Sequence, residues 1–425
     1  MTWSTRFRAR EYLRQSLWVT PLLGAVVGAL LGALGIVVDD HVGVSTYWQY
    51  SPSTASTVLS SIVGSTAALI GFVVTVTVLV VQMATGTFSA RYMRLWYRDR
   101  MLKAVLTVLI ATLAFAFQLL RHVGSTVPDI GVSVAGLLLL VSLILFMLYL
   151  DRVLHRMRPV AVAALVGAAG RDAFMTAVRW AARPDAPEFI PGHFRASTEP
   201  ALHVRSAGAG SIQAIDTKGL VRWARRHECL LVLPHPVGDF VPAGATLMDV
   251  YGEPPEGSER TLRGMVALGI ERTIEQDPAF AIRIMVDIAN LALSPAVNDP
   301  TTAVQVLDHL GETLRVIGTT DLAGVARTRG EPGPGSVVMQ ARRWEDFLAL
   351  GVTEIRDYGA SSVQVGRRLR ALLEELLETV RAECRPAVEN ELARVSASID
   401  RVWAATPDAD RAIVSDRQGL GGPSE

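Results

Sequence analysis

Four apolar segments, Leu17 to Val38, Val58 to Met83, Met101 to Leu120 and Ile130 to Leu150, each reach the about 20 residues that a helix needs to cross a bilayer. Their interiors carry no charged side chain; Lys103 stands near an end, where its long stem lets the ammonium reach the interface. In hydrocarbon the backbone must satisfy its own polar groups, which commits these stretches to helix. The chain is therefore expected to be built around four transmembrane helices. A cleaved leader does not fit the first segment. Its apolar run is too long, and Asp39-Asp40-His41 offers no small-residue cleavage site.

Arginine placement sets the expected orientation. Arg6, Arg8, Arg10 and Arg14 precede the first segment, and the loop from Asp39 to Thr57 has no Lys or Arg. Arg91, Arg94, Arg98 and Arg100 precede the third segment, only Arg121 follows it, and Arg152, Arg156 and Arg158 follow the fourth. Basic loops stay on the cytoplasmic side, so both termini are expected inside a bacterial inner membrane. Tyr47, Trp48 and Tyr50 then belong to the outer interface, and Trp18, Tyr92, Trp96 and Tyr97 to the inner one. The balance of 41 basic and 41 acidic residues hides this asymmetry. The cluster Arg91, Arg94, Arg98 and Arg100 would meet anionic lipid headgroups, although the topology signal alone accounts for such an excess. No nucleic-acid partner is expected. The preference for Arg over Lys, with abundant Ala, Gly and Val, fits a GC-rich bacterial genome.

Within the second segment, Ser61, Gly64, Ala68, Gly71, Thr75, Val78 and Gln82 recur every three or four residues, with Ser65 beside them. That spacing places them on one helical face. Lipid gains nothing from such a face, so it must meet another helix, another subunit or water. Two readings stay open. Several copies around an axis would make the face a pore lining of hydroxyl and amide groups; alternatively, small residues let helix backbones approach. A coupled carrier is disfavoured, because the spans hold no ionisable group at membrane depth and show no inverted repeat.

Roughly two thirds of the chain follows the last span, enough for one or two further domains. The expected division is a transmembrane domain over 1–158, an amphipathic helix and linker over 159–200, and a small β domain over 201–260. A helical cytoplasmic domain follows over 261–405, then a disordered tail over 406–425. Phe174, Val178 and Ala181 give the helix its apolar face, and Pro184, Pro187 and Pro191-Gly192 mark the linker. Gly210 to Asp216 alternates with period two, and Cys229 to Leu233 is a short buried run. Val237 to Leu247 resembles the strand-turn pattern of biotinyl- and lipoyl-type barrel-sandwich domains. No Lys follows to carry a prosthetic group, so no cofactor is expected. Asp277-Pro278 and Asn298-Asp299-Pro300 open helices, and Pro386 bends a long helical region from about Arg342 to Trp403.

Motifs of established chemistry are missing: there is no phosphate-binding Gly-x-x-x-x-Gly-Lys-Ser/Thr loop, no His-Glu-x-x-His and no Gly-x-Ser-x-Gly elbow. Cys229 and Cys384 are far apart, and His227, Cys229 and His235 match no zinc spacing, so no metal is expected. The strongest polar constellation is Asp277, Asp287, Asn290, Ser294, Asn298 and Asp299. Asp287 and Asn290 are three apart on one helical face, where a carboxylate and an amide converge beside the Ser294-Pro295 break. They could form a pocket for a cation or small ligand. The competing reading is structural, with Asp277 and Asp299 as helix caps and Ser294 and Asn298 satisfying the connection.

Gln82 with Phe88-Ser89-Ala90-Arg91, the run Arg272 to Pro278, the run Ala292 to Ala303, and Tyr358-Gly359-Ala360-Ser361-Ser362 together resemble a bacterial family. It is the family of predicted membrane proteins defined by domain of unknown function 2254. The resemblance implies a membrane domain plus a cytoplasmic domain and brings no activity with it. The residues themselves point to a homo-oligomeric pore or channel-like protein whose cytoplasmic domain gates or senses. The alternative is a non-conducting signalling or scaffold protein, and the third reading is an enzyme using the polar pocket.

Overall fold

The computed structural model describes residues 2–41, 49–87, 99–124, 127–156, 158–183, 186–191, 194, 198–321 and 332–419. The chain divides into two compact units, Glu11–Gly86 with Ala90–Arg158, and Met1–Arg10 with Thr87–Ser89 and Pro159–Glu425. Helix α1 (Trp3–Gln15) opens it.

The first unit holds α2 (Val19–His41), α3 (Pro52–Thr87), α4 (Arg100–Leu120) and α5 (Asp129–Arg156), which carry the four apolar segments, the first of them from Val19 onward. Helix α2 lies tightly on α4 because Gly24, Gly28 and Gly32 remove side chains from one face. A Cβ at Gly28 would fall 2.8 Å from Ala111 Cα, and one at Gly24 would fall 2.8 Å from Thr107 Cγ2. Helix α5 is tied to both neighbours by buried hydroxyls. Thr112 Oγ1 lies 3.2 Å from Ser142 Oγ, and Thr77 Oγ1 lies 3.0 Å from the Tyr149 hydroxyl. Two carboxylates close the helix ends. Asp39 accepts from the Ile130 and Gly131 amides at 3.0 and 3.1 Å, and Asp129 accepts from the Tyr50 amide at 2.7 Å.

The second unit begins its main run with α6 (Pro159–Ala181), followed by β1 (Glu188–Pro191), β2 (Leu202–Arg205), β3 (Gly210–Ile215), α7 (Thr217–Arg226) and β4 (Leu230–Leu233). Then come β5 (Phe240–Val241), β6 (Thr246–Tyr251), α8 (Ser258–Arg263), β7 (Val266–Gly269), α9 (Pro278–Ala292) and α10 (Pro300–Thr319). Strand β8 (Val337–Ala341), α11 (Trp344–Gly359), α12 (Val363–Thr379), α13 (Arg385–Trp403) and the short α14 (Ala409–Ala412) complete it. Five strands form a mixed sheet in the order β1-β8-β4-β6-β2, and three form an antiparallel sheet β5-β3-β7. Ile212, Ile215, Leu220, Leu231, Leu247, Met248 and Leu262 fill one core with side chains from both sheets and from α7 and α8.

Among the described residues five helices, α2 to α6, are long and apolar enough to cross a membrane, one more than the four expected. Helix α6 is the amphipathic helix expected ahead of the linker from Phe174, Val178 and Ala181, and it runs the whole way from Pro159 to Ala181. It is buried along Val162, Val166, Ala173 and Phe174 and packs on α9 and α10. Gly170 makes that contact close, since a Cβ there would lie 2.6 Å from Ala281 Cβ.

The small β domain expected over 201–260 is not closed on itself. Its strands are shared between two sheets, one of which takes β1 from the expected linker and β8 from the expected helical region; the other takes β7. Strands β1, β8 and β4 pair in parallel, with Glu188 opposite Val338 and Leu231 opposite Val337. Parallel pairing across long connections leaves no local turn signal, so four- and five-residue strands between helices escape a periodicity search. Pro386 opens α13 in place of bending a longer helix, in keeping with its missing N–H being harmless in a first turn.

Residues 406–419 of the expected disordered tail are docked. Ala412 is buried, Arg367 Nε donates to the Val414 carbonyl at 3.0 Å, and Asp416 accepts from the Gln418 and Gly419 amides. The polar composition that suggests disorder here serves a local turn instead.

Candidate functional site

In the first unit, the candidate surface is α3. Ala55, Leu59, Ile62, Thr66, Val73, Thr77 and Val80 are its buried face. Ser61, Gly64, Ser65, Ala68, Gly71, Thr75, Val78 and Gln82 are exposed, and the main seam falls on the opposite side of the helix. A Cβ placed at Gly64 or Gly71 meets nothing within 4 Å. The hydroxyls of this face are turned onto their own helix: Ser61 donates to the Thr57 carbonyl at 2.8 Å and Thr75 to the Gly71 carbonyl at 2.9 Å. The face is therefore smooth, with the Ser61 and Thr75 hydroxyl protons already engaged. Arg100 is exposed at the first turn of α4, where Asp99 accepts from the Met101 amide at 2.6 Å. Arg91, Arg94 and Arg98 lie outside the described residues.

In the second unit, the six residues of the expected polar pocket do not come together. Asp277 stands at the N-terminus of α9, and Asp287 and Asn290 lie near its other end, on the order of 15–20 Å away at 1.5 Å per residue. Asp287 and Asn290 join a network on α9 and α11. Arg283 donates to Asp287 at 2.7 Å and to Glu354, and Asn290 Nδ2 donates to Glu354 at 2.8 Å. Glu354 and Asp287 hold the Arg283 guanidinium firmly charged, raising its pKa against the cost of burial. Asn290 Oδ1 has no hydrogen-bond partner among the described residues.

Ser294, Asn298 and Asp299 build the turn between α9 and α10. Ser294 Oγ donates to the Leu291 carbonyl at 2.7 Å, Asn298 takes a left-handed φ of 49°, and Asp299 caps α10 through the Thr302 amide and hydroxyl. The structural reading accounts for these three.

Asp277 has a second role besides its cap on the Phe280 amide. It is 2% exposed, and one of its oxygens accepts from Arg272 Nε and Nη2 at 2.8 and 2.6 Å. Burial still outweighs this pairing and raises the Asp277 pKa above the ordinary carboxylate range. Gly238, at φ 98°, lets the backbone pass over the pair; a Cβ would fall 2.7 Å from Arg272 Nη2 and nearer still to the carboxylate. The neighbours of this pair strap α9 to the small sheet. Thr273 Oγ1 donates to the Gln213 carbonyl at 3.2 Å, and Gln276 bonds both the amide and the carbonyl of Ile215 at 3.0 and 3.4 Å.

Beside Asp277 opens a cavity of about 400 Å³, within the range of small-molecule sites. Phe174, Val178, Phe189, Met339, Trp344 and Phe347 are among its apolar wall residues, and Arg342 reaches it from just beyond β8. Sequence reasoning missed this cavity because its walls come from α6, β1, β8 and α11, which only the fold assembles. It also missed the α2–α4 contact, although Gly-x-x-x-Gly-x-x-x-Gly is a readable signal for it. Cys229 is a core residue whose Sγ bonds the His227 carbonyl at 3.2 Å.

The profile of a family described as "Predicted membrane protein (DUF2254)" matches residues 14–375. Uncharacterized proteins of Mycobacterium tuberculosis and Mycobacterium bovis are 29% identical over 433 residues, covering 95% of this chain and 80% of their own length. No solved structure matches the chain.

Proposed function

The chain belongs to the DUF2254 family of predicted membrane proteins, and from that premise we propose that it is a homo-oligomer of the bacterial cell membrane assembled through α3. In this reading α2 to α5 span the bilayer, while α6 belongs with the second unit on the cytoplasmic side. The placement of arginines supports both termini inside. One observation carries the assembly: the main small and polar seam of α3 is bare on the side opposite its packed face. Small residues there suit close approach of a second copy. With the copies arranged about an axis, the same face lines a passive pore, and the cytoplasmic unit serves as the sensing or gating part.

The test is mass determination and ion flux on purified protein in liposomes, comparing the unaltered chain with Gly71→Leu and Thr75→Leu. Assembly lost in the variants supports α3 as the subunit contact. Flux altered with assembly intact supports the pore. A monomer without flux in every case removes the proposal. The engaged hydroxyls of Ser61 and Thr75 favour a second reading, in which the copies close dry against each other and the assembly is a non-conducting scaffold.

A further inference from the structure

The cavity beside Asp277 has walls of one chemistry and a single charged group to spare. Its polar wall atoms are mostly engaged already. Gln276 is bound to Ile215, Asp277 to Arg272 and the Phe280 amide, Thr320 Oγ1 to the Val316 carbonyl, and Glu383 to Arg381. The Trp344 indole N–H donates to the Cys384 carbonyl at 3.0 Å. After these, Gln340 and Arg342 remain on the wall, with Arg343 and Glu345 exposed around them. Gln340 and Arg342 are two residues apart in extended chain, which puts them on one face. Arg342 is half-buried and has no hydrogen-bond or ion-pair partner among the described residues, only its attraction to the more distant Asp277 carboxylate. Arg272 pairs with Asp277, and Arg381 pairs with both Glu383 and Asp321, so among the described residues Arg342 is the half-buried charged group of the lining without an ion-pair partner.

We propose that this cavity binds a small amphipathic acid, its apolar chain among Phe174, Phe189, Met339 and Phe347 and its anionic head on Arg342 and the Gln340 amide. A guanidinium matches a carboxylate with paired, charge-assisted hydrogen bonds, and the aromatic wall shields them from water. A cationic amphiphile would face Arg342 unfavourably, and a neutral alcohol would leave the guanidinium half-desolvated and unmatched. The inference is independent of α3 and of the oligomer.

Decanoate carrying an aliphatic diazirine is the probe, used on the full chain in phosphatidylcholine nanodiscs and mapped by peptide mass spectrometry. Labelling of α3, which lipid-dissolved probe also reaches, is the reference. Expected is label on peptides carrying Phe174, Phe189 or Trp344 that unlabelled decanoate removes and decyltrimethylammonium does not. Arg342→Gln should raise the decanoate concentration needed for half-competition by roughly tenfold or more, and Arg342→Lys by only a few-fold, as loss or retention of one charge-assisted contact implies. No label on these peptides, equal competition by the cation, or an unchanged requirement in Arg342→Gln overturns the assignment. Circular dichroism of each variant separates loss of binding from loss of fold.

Discussion

Helices α2 and α3 each carry a stripe of small residues, and the chain treats the two stripes in opposite ways. Gly24, Gly28 and Gly32 are consumed within the fold, pressed on the backbone of α4, whereas Gly64 and Gly71 face nothing. A stripe of small residues thus has two meanings in one unit. A stripe already used internally is a folding device, and only the unused one is available to a partner. The second unit holds a parallel contrast in charge: Asp277 is buried and matched by Arg272, while Arg342 stands half-buried without a close partner among the described residues.

The contrast can be broken most severely at Asp277. Arg272→Met leaves that carboxylate buried without its bidentate partner and should destabilise the second unit by about 3–5 kcal/mol, read by chemical denaturation. A loss below roughly 1 kcal/mol, the scale of an exposed ion pair, would mean that the carboxylate is not truly enclosed. Next comes Gly28→Leu, whose side chain has to displace the Ala111 backbone; overpacking of this kind costs about 1–3 kcal/mol. The midpoint of unfolding in detergent checks it. In detergent that keeps the chain monomeric, Gly71→Leu should change stability by less than about 0.5 kcal/mol, as a substitution that touches nothing within its own chain. Similar losses at Gly28 and Gly71 would abolish the distinction between the two stripes.

The smallest effect is a slope in pH. Folding raises the Asp277 pKa, so between the unfolded value and the raised folded one the native state binds more protons than the unfolded state. Its contribution to stability therefore falls as pH rises through that window and is level above it. Asp277→Asn should remove this decline, so stability measured across the acid range should show a flatter dependence than in the unaltered chain. A variant with the same slope would assign the decline to other groups.

Much of the first unit was legible because bilayer crossing is a local demand, written into consecutive residues: four segments, their flanking arginines and the α3 face follow from spacing alone. Helix caps were legible for the same reason, since Asp277 and Asp299 act within three residues of themselves. The second unit resists such reading. Strands β1 and β8 are short and pair across long sequence separations, so neither carries a turn signal that names its neighbour. The same separation hid the cavity and split the six polar candidates. Sharing a helix does not bring side chains together when they stand at its two ends, and the partners of Asp287 and Asn290 come in part from Glu354 on another helix.

The strap over β3 bears on how the chain avoids sticking to its neighbours. Strand β5 pairs with only Gly210 and Ser211, which leaves the edge beyond them as a template for a foreign strand. Thr273 and Gln276 occupy that edge with side-chain atoms, and Gln276 imitates a strand residue by giving and taking one hydrogen bond at Ile215. The segment that opens α9 thereby also ends the growth of a sheet, which leaves that stretch of edge closed to pairing with a foreign strand.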